Sequence, residues 1–173
     1  MSEAPKVAIV MGSDSDLQVM EEAVEALERF HVRFEVRVLS AHRSPEALQK
    51  FAREAESKGV QVLIAAAGGG AHLAGVLASH STLPVVGVPM PTDRMGGMDS
   101  LLSTVQMPAG VPVACMGLGK SGATNAGVMA VEILATADAH LRKALREHKK
   151  ELTEQVKGQD AAVQQWLKDR TSR

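Results

Sequence analysis

The feature that most constrains this chain is a set of short apolar runs that do not alternate. Residues 6–11 (KVAIVM) are almost continuously apolar and rich in β-branched side chains, and residues 62–67 (VLIAAA) repeat the pattern. Residues 84–88 and 111–116 are weaker versions. Runs of this kind suit strands covered on both faces, as in a parallel sheet. Residues 34–39 (FEVRVL) alternate, which places them nearer an edge. Helical patterns fill the gaps. Leu17, Met20, Val24 and Leu27 recur at helical spacing, as do Leu48, Phe51, Ala52 and Ala55. Strands alternating with helices predict an α/β fold, a doubly wound parallel sheet in a flavodoxin-like or Rossmann-like three-layer arrangement. Its crossovers should be right-handed. Ligands in such folds sit at the carboxyl ends of the strands, where strand order reverses.

The 173 residues predict one domain, with a core over about residues 6–137 and a helical extension over about 138–173. Residues 122–137 (GATNAGVMAVEILATA) are apolar almost all round. That pattern predicts burial on every side, part of it against another subunit. From Asp138 onward, Leu141, Leu145, Leu152 and Val156 form one stripe among Lys, Arg and Glu, as on an amphipathic surface helix. Gly158 predicts a break there, and Trp166-Leu167 a last apolar contact.

Charge and composition exclude several classes of partner. The formal charge is −1, from 19 basic and 20 acidic residues, so nothing resembles a nucleic-acid or anionic-membrane footprint. Three Phe, one Trp and no Tyr leave no platform for stacking bases. A single cysteine, Cys115, excludes an internal disulfide framework and a multi-cysteine metal site. His31, His80, His140 and His148 show no metal-ligand spacing. The first residues carry no apolar stretch like a signal peptide, and no run suits a bilayer span. A reducing, cytoplasmic setting is the expectation.

Three loops carry residues beyond what a turn needs. Gly12-Ser13-Asp14-Ser15-Asp16 follows the first strand. Glycine permits a sharp turn, and Ser or Asp there can cap the next helix. The same geometry favours an anion, because free N–H groups and the helix dipole point at it. Ser13 and Ser15 add hydroxyl donors, whereas the Asp16 carboxylate suits sugar hydroxyls beside a phosphate. The second loop is Ser40-Ala41-His42-Arg43-Ser44-Pro45-Glu46. Ser44 with Pro45 reads as a helix start, which leaves His42 and Arg43 unexplained. Arg grips phosphate in a fork, and His titrates near neutrality as an acid or base. The third loop is Ala67-Gly68-Gly69-Gly70-Ala71-His72-Leu73. Three consecutive glycines are entropically costly, and they let backbone N–H groups approach a ligand closely. His72 falls near a helix start. Asp99-Ser100 reads as a cap opening a further helix, and Asp93-Arg94 in the loop before it can face a ligand or a neighbouring subunit.

Gly117-Leu118-Gly119-Lys120-Ser121-Gly122 matches G-x-G-x-x-G literally. A dinucleotide site expects an acid at the end of the following strand. Here Asp138 follows a helix instead, and the expected role is a turn into the small-residue helix.

Together these segments resemble the N5-carboxyaminoimidazole ribonucleotide mutase family of purine biosynthesis. The matching residues are Met11-Gly12-Ser13 with Ser15-Asp16, Ser40-Ala41-His42-Arg43, and Gly68-Gly69 with Ala71-His72-Leu73. Asp99-Ser100-Leu101-Leu102-Ser103, Val105-Gln106-Met107-Pro108 and Asn125 fit as well. The resemblance implies interconversion of N5-carboxyaminoimidazole ribonucleotide (N5-CAIR) and 4-carboxyaminoimidazole ribonucleotide (CAIR) without metal, biotin, ATP or other cofactor. It implies a homo-octamer, with substrate hand-over from the N5-CAIR synthetase a further prospect. It places Ser13, Ser15 and Arg43 at the phosphate and its surroundings, and Asp16 at the ribose. Ser40, Ala41, Gly68, Gly69, His72 and Leu73 line the base and carboxylate pocket; Gly12 and Ala67, at the strand ends, join the substrate-binding set. His42 becomes the proton-transfer residue. A direct carboxylase acting on aminoimidazole ribonucleotide (AIR) is the nearest alternative. A non-catalytic binder of a flavin-type ligand is another, disfavoured by the scarcity of aromatics.

Overall fold

The computed structural model describes residues 4–171, so the ends of the expected domain, residues 1–3 and 172–173, lie outside the described residues. Among these residues five parallel strands form one sheet: β1 (Val7–Met11), β2 (Phe34–Val38), β3 (Val62–Ala67), β4 (Val85–Pro89) and β5 (Ala114–Cys115), in the order β2-β1-β3-β4-β5. β1, β3 and β4 are buried nearly throughout, as their unbroken apolar runs require. The alternating run became the edge strand β2, partly exposed along its length. β5 is shorter than residues 111–116 suggested. Val111 turns its N–H back to Pro108, Pro112 has none to give, and pairing with β4 starts only at Ala114.

Among the described residues there are six α-helices: α1 (Leu17–Arg29), α2 (Pro45–Glu54), α3 (Leu73–His80), α4 (Met98–Val105), α5 (Gly119–Ala135) and α6 (Ala139–Thr171). The chain moves outward from β1 to β2, then crosses back to β3 and on to β4. Right-handed crossovers therefore put α1 on one face and α2 and α3 on the other. Leu48, Phe51 and Ala52 of α2 and Leu73, Ala74 and Leu77 of α3 pack with Ala8, Val10, Leu63 and Ala65 in one buried cluster. The alternate residues Val7, Ile9, Val62 and Ile64 point to the opposite face and are equally buried. On α1, Met20 and Leu27 are buried as the spacing required, with Ala23 and Ala26 beside them. Leu17 is instead exposed, because the chain first makes a single 3-10 turn, Asp14–Asp16, that rotates it off the buried face.

The small residues of α5 serve close packing on α1. A Cβ on Gly127 would stand 2.6 Å from Ala26 Cβ and 2.9 Å from the Ala23 carbonyl oxygen. Only one face of α5 is fully covered within the chain, by way of Ala123, Ala126, Ala130, Val131 and Leu134. Thr124, Asn125, Val128 and Met129 on its other side are partly or wholly exposed. One protomer thus covers part of this helix and leaves the side expected to meet another subunit uncovered.

Two compact units divide the chain, Met1–Leu134 and Ala135–Arg173. The second consists mainly of α6. Asp138 caps it, accepting from the N–H groups of His140 at 2.8 Å and Leu141 at 3.1 Å, and these bonds hold its carboxyl below the usual range. Arg142 donates to the carbonyls of Ala135 and Thr136, tying the first turn to the segment before it. The helix runs through Gly158 without a break. An interior glycine costs only about 1 kcal/mol, which strong helix formers on either side offset. Leu152, Val156, Val163, Trp166 and Leu167 are exposed on it, and the Arg170 guanidinium lies 5.2 Å from the Trp166 ring centroid. Among the described residues no helix is long and apolar enough to cross a membrane.

Candidate functional site

Strand order reverses between β1 and β3, and there the three glycine- and serine-bearing loops meet. Ladder hydrogen bonds continue just past the strands, from Gly12 N to Ala66 O, Leu39 N to Met11 O and Met90 N to Ala67 O. Each loop therefore leaves the sheet in register with its neighbour. Between them lies a cavity of about 530 Å³. Gly12, Ser13, Ser15, Asp16, Ser40, Ala41, His42, Arg43, Ala67, Gly68, His72 and Leu73 all line it. Of the residues expected to bind substrate or transfer the proton, Gly69 alone is not in its lining. Gly70, Met90 and Pro91 complete the wall.

In the first loop the same residues make capping bonds and line the cavity. Ser13 caps the 3-10 turn: its Oγ accepts from Ser15 N–H, while Asp16 Oδ2 accepts from Ser13 N–H at 3.1 Å. Ser15 Oγ donates to Ser13 Oγ at 2.9 Å, leaving two hydroxyls side by side at the cavity. Burial pushes the Asp16 carboxyl above its ordinary value, against the N–H bonds from Ser13 and Gly12 that hold it down. A carboxyl raised in the fold weakens stability once it ionises. The deficit is fully present above its folded pKa and vanishes below the unfolded one. Asp16→Asn keeps an acceptor for Ser13 N–H, so we expect its melting temperature at pH 7 to equal or exceed that of the parent. Melting both proteins from pH 7 to pH 3 checks this; an advantage that grows as the pH falls would reverse the sign.

The second loop is pinned from within. Ser44 Oγ accepts from Ser40 N–H at 2.9 Å and lies 3.2 Å from the Ser40 carbonyl, so it braces the loop and makes no capping bond to α2. Ser40 Oγ accepts from Arg43 N–H at 3.1 Å and from Arg43 Nε at 3.4 Å. The far end of the same guanidinium donates to the Gly12 carbonyl at 2.8 Å. Arg43 thus spans from its own loop to the first, with its charge beside Ser13 and Asp16.

The third loop brings the two histidines together. His42 Nε2 lies 2.8 Å from His72 Nδ1, and the rings meet edge to face, 79° between planes and 5.0 Å between centroids. One ring supplies the hydrogen and the other accepts it. His72 stands at the N-cap position of α3, as its place in the sequence suggested. Gly69 adopts φ +67°, a conformation that favours glycine. Its N–H donates to Ser100 Oγ at 2.9 Å. That bond corrects the reading of Asp99-Ser100 as a cap. Gly97, at φ +91°, stands at the N-cap position of α4, and Asp99 accepts from Thr92 Oγ1 at 2.8 Å. Asp93 and Arg94 line a neighbouring cavity with Gly69, Gly70 and Thr92. Met90 and Pro91 escaped the sequence reading, although a strand next to β3 must end beside β3's loop. Among the described residues, no group of three or more His, Cys, Asp or Glu could hold a metal ion.

The sheet order and the cavity define a doubly wound α/β protein with a polar site at its switch point. Residues 6–155 match the AIR carboxylase family model, and the chain belongs to that family. It is 49% identical over 166 residues to the N5-carboxyaminoimidazole ribonucleotide mutase of Mycobacterium leprae, covering 96% of each chain. It is 55% identical over 131 residues to the enzyme of that name from Aquifex aeolicus, covering 76% of this chain and 77% of the relative. The crystal structure of Treponema denticola PurE superposes with a TM-score of 0.82 at 24% identity, over 91% of this chain and 97% of that one, which establishes a shared fold.

Proposed function

We propose that this protein is an N5-CAIR mutase, an isomerase of purine biosynthesis that interconverts N5-CAIR and CAIR. Relatives named for that activity, 49–51% identical over more than nine-tenths of the chain, support the reaction. The observation that carries the chemistry is the His42–His72 contact inside the switch-point cavity.

The reaction needs little else. Protonating the carbamate nitrogen of N5-CAIR breaks its N–C bond and releases CO2. The aminoimidazole left behind has an electron-rich carbon that attacks the same CO2. That carbon must then lose a proton. One group can give the first proton and take the second, ending as it began. His42 takes this role, and His72 holds its ring in place until substrate arrives. A substrate nitrogen that displaces His72 from the contact meets the same ring atom. Arg43, Ser13 and Ser15 cluster where a phosphate would meet a guanidinium fork and two hydroxyls. Asp16 Oδ1 is left for ribose hydroxyls, so Asp16→Asn should weaken ribonucleotide binding about tenfold or more. Gly12, Ser40, Ala41, Ala67, Gly68, Gly69 and Leu73 shape the surrounding walls.

The direct carboxylase is the competing reaction on the same scaffold. Both substrates assayed in bicarbonate-depleted buffer separate the two. A mutase turns over N5-CAIR there at full rate. If N5-CAIR is inert and AIR reacts only when bicarbonate returns, the mutase reading fails. A homo-octamer fits this reading, supported by the partly exposed face of α5. One mutase domain with a helical extension, a cytoplasmic setting and hand-over from the synthetase belong to the same proposal.

A further inference from the structure

The glycine loop has a clamp that the chemistry above does not use. Gly68, Gly69 and Gly70 are the most conformationally free stretch beside the cavity, and Gly68 and Gly70 line it. Yet both polar groups of Gly69 are turned away from the cavity, toward α4. Its N–H donates to Ser100 Oγ at 2.9 Å, and its carbonyl lies 3.2 Å from Ser103 Oγ. Ser100 is fully buried, which shields its end of that bond from water. Ser103 divides its hydrogen between the carbonyls of Gly69 and Asp99, the latter at 2.7 Å, which makes it the weaker jaw.

The same turn of α4 holds the opposite wall. Asp99 Oδ1 accepts from Thr92 Oγ1 at 2.8 Å, and Thr92 Oγ1 accepts from Gly97 N–H at 3.1 Å. Thr92 follows directly on Met90 and Pro91, which face the cavity. Gly68 sits where the walls meet: a Cβ on it would stand 3.4 Å from Met90 Cβ, 3.5 Å from Thr92 Cγ2 and 3.9 Å from Ser100 Oγ.

We propose that Ser100, backed by Ser103, is a positioning residue that keeps the glycine wall closed while CO2 is free in the site. This rests on the mutase reading. CO2 carries no charge and offers no handle, so only a closed wall retains it between the two steps. A loop that opens lets CO2 escape before the carbon attacks it. Loosening the clamp therefore changes where the carboxyl carbon comes from, while His42 stays on the separately braced second loop.

The test follows unlabelled N5-CAIR in buffer equilibrated with ¹³C-bicarbonate, with CAIR and free AIR read by mass spectrometry. The parent protein should deliver mostly unlabelled CAIR. Ser100→Ala should raise both the labelled fraction and the AIR released by about fivefold, the effect of one lost hydrogen bond on a local opening equilibrium. Ser103→Ala should shift both in the same direction by less, and Ser103→Thr, which keeps the hydroxyl, should restore the parent pattern. Ser103 is partly exposed, so its variants decide the matter if Ser100→Ala does not fold. Label fractions equal to the parent's in every folded alanine variant overturn the clamp and leave the mutase standing. A parent that leaves N5-CAIR unconverted overturns both.

Discussion

His42→Asn is expected to lower turnover of N5-CAIR by about 10²–10⁴-fold while ribonucleotide binding survives within a few-fold. That range corresponds to roughly 3–5 kcal/mol of barrier. The amide of asparagine stops near the His42 Nδ1 position, short of the Nε2 that meets His72 at 2.8 Å, but the loop stays braced by the Ser40–Ser44 bonds and has no reason to rearrange. That amide neither gives nor takes a proton near neutrality. The phosphate candidates, Ser13, Ser15 and Arg43, do not depend on the His42 ring: Arg43 is held by Ser40 Oγ and the Gly12 carbonyl. The two measurements should therefore part. Steady-state turnover falls, and calorimetric binding of CAIR does not. Turnover within tenfold of the parent would remove His42 from the proton path and put His72 in its place.

Much of this site was legible because its residues stand at strand ends that the sequence marks clearly. The β-branched runs of β1 and β3 have no alternation, so both strands had to be central, and their following loops had to lie side by side. What escaped were contacts between residues distant in the chain. Ser100 looked like a cap because a serine opening a helix commonly is one. Its true partner, Gly69, is 31 residues away, and no periodicity joins them. The one hint was the glycine run itself, whose N–H groups need acceptors wherever they turn from the ligand. The His42–His72 contact, 30 residues apart, is of the same kind. The ends of helices misled for a different reason. Local preference at Leu17 and Gly158 amounts to about 1 kcal/mol or less, small enough for a 3-10 turn or a long run of good helix formers to override.

The G-x-G-x-x-G segment is the opposite case, a literal motif whose glycines the packing accounts for, and they should matter for stability. Gly119 opens α5 at φ +70°. A Cβ on Gly122 would run into the carbonyl group of Gly117, and that obstacle is backbone, unable to rotate aside. Nor can α5 back away, since Gly127 is already in close contact with Ala23 and Ala26 of α1. Gly122→Ala should therefore cost about 3 kcal/mol or more, the upper range for overpacking. In a chain of this length that is a fall of roughly 6–12 °C in melting temperature, compared at equal protein concentration. Gly158→Ala is the control. It lies inside α6 with nothing within 4 Å of a new Cβ, and it should gain up to about 1 kcal/mol from helix propensity alone. If Gly122→Ala melts with the parent and instead loses affinity for a dinucleotide, the packing account is wrong and the motif binds after all. The structure argues against that outcome: the room a pyrophosphate would need at Gly122 is filled by the chain's own Gly117.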